Sequence, residues 1–228
     1  MFNKEIQFTA DGSHTLFIPE MDEHYHSVNG AIQESMHVFI DAGLKQCKKE
    51  KIQVLELGLG TGLNAFLSCI EADKTGIEIY YTGLEKYPLP VYLAQKLNYQ
   101  EQFPEDKNSI YLKIHQSEWN FPVKITQNFT LEKIITDFSD YDFPGKYDVV
   151  YYDAFAPDKQ TSVWTQEIFN KLYTGMESGG ILTTYCAKGS VRRMMEEAGL
   201  DVERIPGPPG KRQMLRAVKK RPARHTFP

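Results

Sequence analysis

Glu56 stands two residues before the first of three closely spaced glycines, Gly58, Gly60 and Gly62, in the run VLELGLGTGLNAF. Glycine-rich turns between a strand and a helix let a ligand approach the backbone closely. Many hold phosphates on the first N–H groups of the helix. This one makes a poor phosphate loop. Its spacing is G-x-G-x-G, Leu63 takes the place of the third glycine of the dinucleotide fingerprint, and the Walker lysine is missing. A carboxylate repels a pyrophosphate but attracts an ammonium or a sulfonium. S-Adenosylmethionine carries both cations, so Glu56 is expected at its methionine end. An acid that merely caps the following turn is the alternative.

Two further acids suit the same ligand. Glu85 ends the apolar run IEIYYTGLE. An acid there accepts hydrogen bonds from both ribose hydroxyls, a logic that NAD enzymes share. Asp137 ends KIITD and is a candidate acceptor for the adenine amino group, or an ordinary loop aspartate. Asp153 follows the fully apolar strand in YDVVYYDAFAPDKQTSVWTQEIF, which puts it at the carboxyl edge of a sheet. Pro157 then fixes a turn, and Phe155 and Trp164 are placed to wall a flat substrate. The arrangement resembles in kind, not in sequence, the (Asn/Asp)-Pro-Pro-aromatic loops of amino-group methyltransferases. An alkyl ammonium with a pKa near ~10 must lose a proton before it can attack a methyl group. An unperturbed Asp is too weak a base for the whole task. Asp153 is therefore assigned as orienter and electrostatic stabiliser, the proton leaving through water. Positioning alone supplies on the order of 7–11 kcal/mol in model reactions.

These residues need a scaffold, and the chain alternates strand and helix from Ile52 onward. IQVLELG, IEIYYTGLE, KYDVVYYDAF and GGILTTYCA read as strands; GLNAFLSCIEA, LPVYLAQKLN, SVWTQEIFNKLYTGM and SVRRMMEEAGL read as helices. KRQMLRAVKK reads as a last strand. The alternation implies an α/β fold, a mostly parallel sheet with helices on both faces, with ligands at the carboxyl ends of the strands. Weak strands are expected near SIYLKIH and FTLEKIITD. Before the sheet, KEIQFTADGSHTLFI carries a hairpin signal at Asp11-Gly12, and Ile32, Met36, Phe39 and Ile40 have helical spacing. Residues 1–50 are thus an N-terminal extension, residues 51–220 the α/β domain, and RPARHTFP, residues 221–228, an expected disordered tail.

With 228 residues, 41% hydrophobic and 25% charged, the chain has the composition of a globular protein. No apolar run approaches the ~20 residues of a membrane span, and MFNKEIQFTADG lacks the apolar core of a signal peptide. Cys47, Cys69 and Cys186 share no metal-ligand spacing and read as reduced thiols in a cytoplasmic protein. The net charge is −4, but the segment from Lys188 onward is +7 and the rest −11. A basic patch on an acidic chain fits a polyanion footprint or a solvated basic tail.

ELGLGTGLN, GLEKYPL, YDAFAPDKQTSVWTQEIFN and GGILTTYCAKGSVRRMMEEAGLDVERIPGPPGKRQML together resemble the methyltransferase half of the MnmC family. The resemblance runs from about Tyr25 to Val218. It implies a class I, Rossmann-like methyltransferase that uses S-adenosylmethionine and methylates the primary amine of 5-aminomethyl-2-thiouridine at the tRNA wobble position. Carried over by motif, Glu56, Gly58, Gly60, Gly62 and Asn64 face the methionine end. Glu85, with Lys86 beside it, matches the ribose-binding acid of the family's F-E-K-F/Y-P-L, and Asp137 the adenine-reading acid. Asp153 matches the Asp of L-D-G-F-A-P, the substrate-amine residue. YHSVNGAIQESMHVF resembles the family's YFS…NG…E…VF, so that Tyr25, Ser27 and Glu34 belong to the substrate pocket. Arg192, Arg193, Lys211 and Arg212 lie in family-like motifs and are candidate tRNA phosphate partners.

The sequence departs from the family at Leu59, where a Phe is usual, and at Ala154, where a Gly is usual. Neither change removes a charged or hydrogen-bonding group. The bifunctional members add an FAD-dependent oxidase half that makes the amine. Nothing in this sequence is expected to bind FAD or a metal, so it reads as a stand-alone methyltransferase supplied by a separate enzyme or a direct aminomethyl pathway. Two other readings stay open. An aminopropyltransferase acting on small amines uses similar parts, although its Gly-Gly-Gly-Asp-Gly loop is Gly-Leu-Gly-Thr-Gly here. A non-catalytic RNA-binding protein with this fold is the other, and retention of Glu56, Glu85 and Asp153 speaks against it.

Overall fold

The computed structural model describes residues 2–104 and 108–220; the tail expected to be disordered, 221–228, lies outside them. Asp11 organises the first turn. Its Oδ1 accepts from Thr9 Oγ1 at 2.7 Å and from the Ser13 N–H at 3.1 Å, so β1 (Glu5–Phe8) folds back onto β2 (His14–Ile18) with Phe8 opposite His14. A short β3 (Glu23–His24) completes a three-stranded sheet. Helix α1 (Ala31–Ser35) then runs directly into a wider π-helical turn, Met36–Asp41, that buries Val38, Phe39 and Ile40.

The main sheet begins with β4 (Lys51–Leu57), α2 (Leu63–Thr75) and β5 (Glu78–Glu85). There follow α3 (Val91–Ala94), α4 (Asn108–Gln116), β6 (Pro122–Lys124), β7 (Phe129–Ile135) and β8 (Tyr147–Tyr152). The last part is α5 (Gln166–Gly175), β9 (Met176–Thr184), α6 (Gly189–Glu197), β10 (Asp201–Pro206) and β11 (Gln213–Val218). Eight strands lie in the order β10-β11-β9-β8-β4-β5-β7-β6. The five inner strands from β9 to β7 are parallel, and antiparallel pairs close both edges.

Strand alternation assigns the two faces. Val54, Tyr81, Val149 and Tyr151 pack on one side with Phe66 of α2 and Ile114 of α4. Leu55, Leu84, Val150 and Tyr152 pack on the other with Phe169 of α5 and Met195 of α6. The chain moves outward from β4 through β5 to β7, then returns to β8 on the opposite side of β4. That reversal opens a crevice at the carboxyl ends of β4 and β8, the usual ligand position in such sheets. Leu57 pairs with both Leu84 and Tyr152, so Gly58, Glu85 and Asp153 leave the sheet at one level.

Two expectations fail locally. SIYLKIH is helical, because Ile110, Tyr111 and Ile114 are buried at i, i+1 and i+4, which is helix spacing rather than strand alternation. LPVYLAQKLN forms only the single turn of α3. The strands β3, β6 and β10 carry too few apolar residues to have been read from the sequence.

Candidate active site

The crevice becomes a site because two glycines remove side chains at contact points. Gly58 has φ +95°, and a Cβ there would lie 2.5 Å from the Asp153 carbonyl oxygen. The Asp153 N–H donates to Leu57 O at 2.9 Å, so the ends of β4 and β8 touch directly. Gly60 has φ +49°, and its missing Cβ makes room for the Tyr25 ring, 3.1 Å away at Cδ1. Tyr25 in turn meets Phe155 edge-on, with centroids 5.1 Å apart. The N-terminal extension thus roofs the glycine loop.

The loop is pinned from three directions. The Gly60 N–H donates to Glu85 Oε2 at 2.9 Å, while Glu85 Oε1 accepts from the Tyr87 N–H at 2.8 Å. His26 Nε2 lies 2.7 Å from Thr61 Oγ1. Thr61 O accepts from Tyr111 Oη at 2.8 Å and from His115 Nε2 at 2.9 Å. Burial holds both histidines down, to about 4, so neutral rings make these contacts near pH 7.

Around this loop lies a cavity of about 1220 Å³. Tyr25, Ser27 and Glu34 of the extension line it, as do Gly58 and Gly60 of the loop. So do Glu85, Lys86, Asp137, Asp153, Phe155 and Lys211. Asp137 Oδ2 is 2.6 Å from Lys86 Nζ, and this lysine is the first cause holding the Asp137 carboxyl low. Burial raises the Glu85 carboxyl against the opposing pull of its backbone donors. Burial, then the neighbouring Glu34 charge, raises Asp153 to about 7; Asn64 and Lys211 pull the other way. Glu34 Oε1 pairs with Lys211 Nζ at 2.7 Å, and Glu34 Oε2 accepts from the Ser27 N–H at 2.8 Å.

Other sequence-predicted residues stand off the cavity wall. Glu56 is fully buried and lies behind it, accepting from Asn64 Nδ2 at 2.8 Å and Tyr81 Oη at 2.7 Å. Burial pushes its carboxyl well above the ordinary range. Glu56 therefore faces Asn64, itself buried, rather than the cavity. Gly62 sits just before α2 and also lies behind the wall. Trp164 belongs to the core: it packs on Tyr152 with centroids 4.5 Å apart, and its Nε1–H donates to Phe155 O at 2.8 Å. It supports the wall without forming it. Arg192 and Arg193 ride on α6, where Arg192 lies 3.6 Å from Glu196, and Arg212 is exposed between β10 and β11.

Sequence reasoning passed over His26, Thr61 and Tyr185. Tyr185 lines the cavity, its hydroxyl donating to Ala154 O at 2.8 Å. It follows β9 at the carboxyl edge, a position that the strand pattern alone marks as a ligand site. His26 and Thr61 offer no such signal, since their contact joins segments 35 residues apart.

A family model described as S-adenosyl-L-methionine-dependent methyltransferase matches residues 95–220. The chain belongs to that family. The methyltransferase is 28% identical over 215 residues to the tRNA 5-methylaminomethyl-2-thiouridine biosynthesis bifunctional protein MnmC of Pseudomonas entomophila, covering 87% of this chain and 33% of that protein. It is 29% identical over 209 residues to the protein of the same name from Leptospira borgpetersenii, covering 85% and 32%. The chain thus spans about a third of the length of the curated relatives it matches. Among solved structures, MNMC2 from Aquifex aeolicus superposes with a TM-score of 0.78 at 25% identity, covering 97% of this chain and 72% of that one. Spermidine synthase from Thermotoga maritima shares the fold at 10% identity, with a TM-score of 0.54 over 95% of this chain and 79% of its own. The methyltransferase has, among its described residues, no helix long and apolar enough to cross a membrane.

Proposed function

We propose that this methyltransferase N-methylates the primary amine of 5-aminomethyl-2-thiouridine at the tRNA wobble position. The observation that carries the reading is Asp153: a carboxylate raised to about 7, on the wall of the cavity at the carboxyl end of β8. The name of the relatives supplies the substrate class. The cavity, about 1220 Å³, exceeds the ~300–1,000 Å³ of common small-ligand sites and leaves room for a nucleoside beside a cofactor.

The residues fit S-adenosylmethionine. Gly58 and Gly60 line the cavity, Glu85 offers acceptor oxygens suited to ribose hydroxyls, and Asp137, paired with Lys86, suits an amino group on the adenine side. When bound, this cofactor would supply a methyl carbon held on a cationic sulfur, a leaving group that departs with the carbon–sulfur electron pair. Asp153 accepts the proton that the alkyl ammonium must lose first. At about 7 it is a far better acceptor than an aspartate at its ordinary value of ~4. Tyr25, Ser27 and Phe155 shape the substrate side, and the Glu34 carboxylate stabilises the positive charge that develops on nitrogen. The amine comes from another catalytic site, on a separate enzyme or another domain. A tRNA substrate makes the cytoplasm the working compartment.

The test is transfer of labelled methyl from S-adenosylmethionine to tRNA from cells lacking this gene, verified to contain the aminomethyl precursor. Label in 5-methylaminomethyl-2-thiouridine, lost in Asp153→Ala, supports both substrate and residue. Label retained in the variant removes Asp153 from the mechanism. No label on tRNA, with aminopropyl transfer to putrescine from decarboxylated S-adenosylmethionine, replaces this reading with polyamine chemistry.

A further inference from the structure

We infer that Asn64 is a positioning residue for Asp153, and that Glu56, the acid before the glycine loop, acts through Asn64 rather than on the ligand. The inference rests on the reading of Asp153 as the residue that faces the amine. One amide nitrogen carries two hydrogens. Asn64 Nδ2 lies 2.8 Å from Glu56 Oε1 and 2.8 Å from Asp153 Oδ2. Each hydrogen therefore has its own carboxylate. Asn64 Oδ1, by contrast, is buried without a partner among the described residues. The side chain is committed to donation at its nitrogen end.

The surroundings fix this geometry. Asn64 is in the first turn of α2, so its Cβ is set by a helix rather than by the glycine loop. Glu56 is locked from the other side by the Tyr81 hydroxyl, 2.7 Å from Oε2. The chain Tyr81–Glu56–Asn64–Asp153 runs from β5 through β4 and α2 to the end of β8. Its last bond occupies Asp153 Oδ2 and leaves Oδ1 for a ligand in the cavity. It also opposes the burial that raises Asp153, because a donor to the charged form favours that form. Asn64 thus supports an ionised Asp153 and sets its angle.

Other groups act on Asp153, and the test must separate them. Glu34 from α1 and Lys211 from the loop before β11 influence it from the cavity side. Tyr185 after β9 interacts with it from the neighbouring strand, and Glu56 and Tyr81 from β4 and β5. Replacing Asn64 alone leaves all of these in place.

The experiment compares wild type, Asn64→Leu, Asn64→Ser, Glu56→Leu and Glu56→Gln. The Asp153 carboxyl is titrated by carbon-13 NMR, assigned by loss of its signal in Asp153→Asn. Calorimetry measures S-adenosylmethionine affinity, and kcat is measured against pH on precursor tRNA. Asn64→Leu should move the Asp153 titration and the acid limb of activity to higher pH. It should lower kcat by up to about 100-fold, the scale of a ~1 Å misplacement, with less effect on cofactor affinity. Asn64→Ser keeps one donor and should fall between, which guards against a misfolded Leu variant. Glu56→Gln keeps an acceptor for Asn64 and should recover part of what Glu56→Leu loses. An Asp153 titration unmoved in both Asn64 variants overturns the inference. So does a Glu56→Leu variant that loses cofactor affinity but keeps kcat. If no variant, wild type included, methylates tRNA while the Asn64 variants still shift the Asp153 titration, the positioning role stands and the substrate reading falls.

Discussion

Lys211 Nζ lies 2.7 Å from Glu34 Oε1 and 4.0 Å above the Tyr185 ring, tying the β10–β11 loop to α1 across the cavity. The pair joins residues 177 positions apart. Lysine and glutamate act on Asp153 with opposite sign, the cation favouring its charged form and the anion its neutral form. Lys211→Met should therefore shift the acid limb of activity to higher pH, and Glu34→Gln to lower pH. A pH–rate profile of each variant checks the pair. Shifts in the same direction would mean that the two side chains act through cavity shape, not charge. Lys211→Met also leaves Glu34 buried without its partner, which should cost about 1–3 kcal/mol in a denaturant titration.

The raised Asp153 carboxyl gives two pH dependences. For activity, protonation removes the acceptor for the amine proton, so kcat/KM should fall as pH drops below about 7. Asp153→Asn should abolish that limb along with most activity. For stability, the folded carboxyl titrates above its unfolded value. The folded state thus binds more protons between roughly pH 4 and about 7, and stability falls as pH rises through that window. Melting temperatures of wild type and Asp153→Asn across the window should diverge, wild type losing ground as pH rises. Parallel curves would refute an elevated Asp153.

Gly58 and Gly60 make separable predictions because their missing side chains face different neighbours. A Cβ at residue 58 meets the backbone of Asp153, which cannot yield without parting β4 from β8. With the positive φ added, Gly58→Ala should destabilise by at least about 1–3 kcal/mol and lose activity. A Cβ at residue 60 meets a side-chain ring, which can turn aside. Gly60→Ala should fold but bind S-adenosylmethionine more weakly, because Tyr25 is displaced and the donor to Glu85 is strained. Thermal melts beside calorimetry distinguish the two, and equal effects would contradict the assignment.

Strand ends were legible in the sequence and side-chain direction was not. Glu85 and Asp153 each close an apolar run, and the sheet delivers both to one edge, while Glu56 sits two residues earlier, inside β4 opposite Gly83 and Tyr151. Of the three acids, Glu85 and Asp153 reach the cavity and Glu56 does not. Period-two alternation explains the third: Glu56 shares its face of β4 with Val54, the face that carries Tyr81 and Tyr151 under α2, and so points beneath the helix. That alternation is legible in the sequence, where the charge of Glu56 beside a glycine loop points the other way. Lys211 could not be placed by any local pattern, since its partner belongs to the other end of the chain. Trp164 reads as a wall because an aromatic near a site does so in sequence, whereas in the fold its indole N–H finds a backbone acceptor and its ring finds Tyr152.

Trp164 accordingly predicts a stability effect before a catalytic one. Removing a buried indole costs about 3–5 kcal/mol. Trp164→Phe keeps ring contact with Tyr152 but drops the donor to Phe155 O. It should retain most of the stability while loosening the Phe155 loop, raising KM for the methyl acceptor more than it lowers kcat. A full loss of stability in Trp164→Phe would place the hydrogen bond, not the ring, at the centre of this packing.

Among the described residues of the basic C-terminal segment, several cations are held in ion pairs. Lys188, Lys211, Arg216 and Lys220 are spent on Asp158, Glu34, Glu203 and Asp201. Arg193 and Arg212 stand outside the cavity wall, and Arg192 has one partly exposed partner, Glu196. If tRNA lays its phosphates along α6 while the wobble base enters the cavity, reversing Arg192 and Arg193 to Glu should weaken tRNA binding and reduce the salt slope by about 1 per lost phosphate contact. Cofactor affinity should not change. Lys4, Lys86 and Lys159 offer the competing footprint at the cavity mouth. Filter binding over a salt series, with Lys4→Glu and Lys159→Glu as the parallel pair, decides between them. An unchanged slope in the α6 pair and a reduced slope in the mouth pair would move the RNA face to the N-terminal extension and the loop after β8.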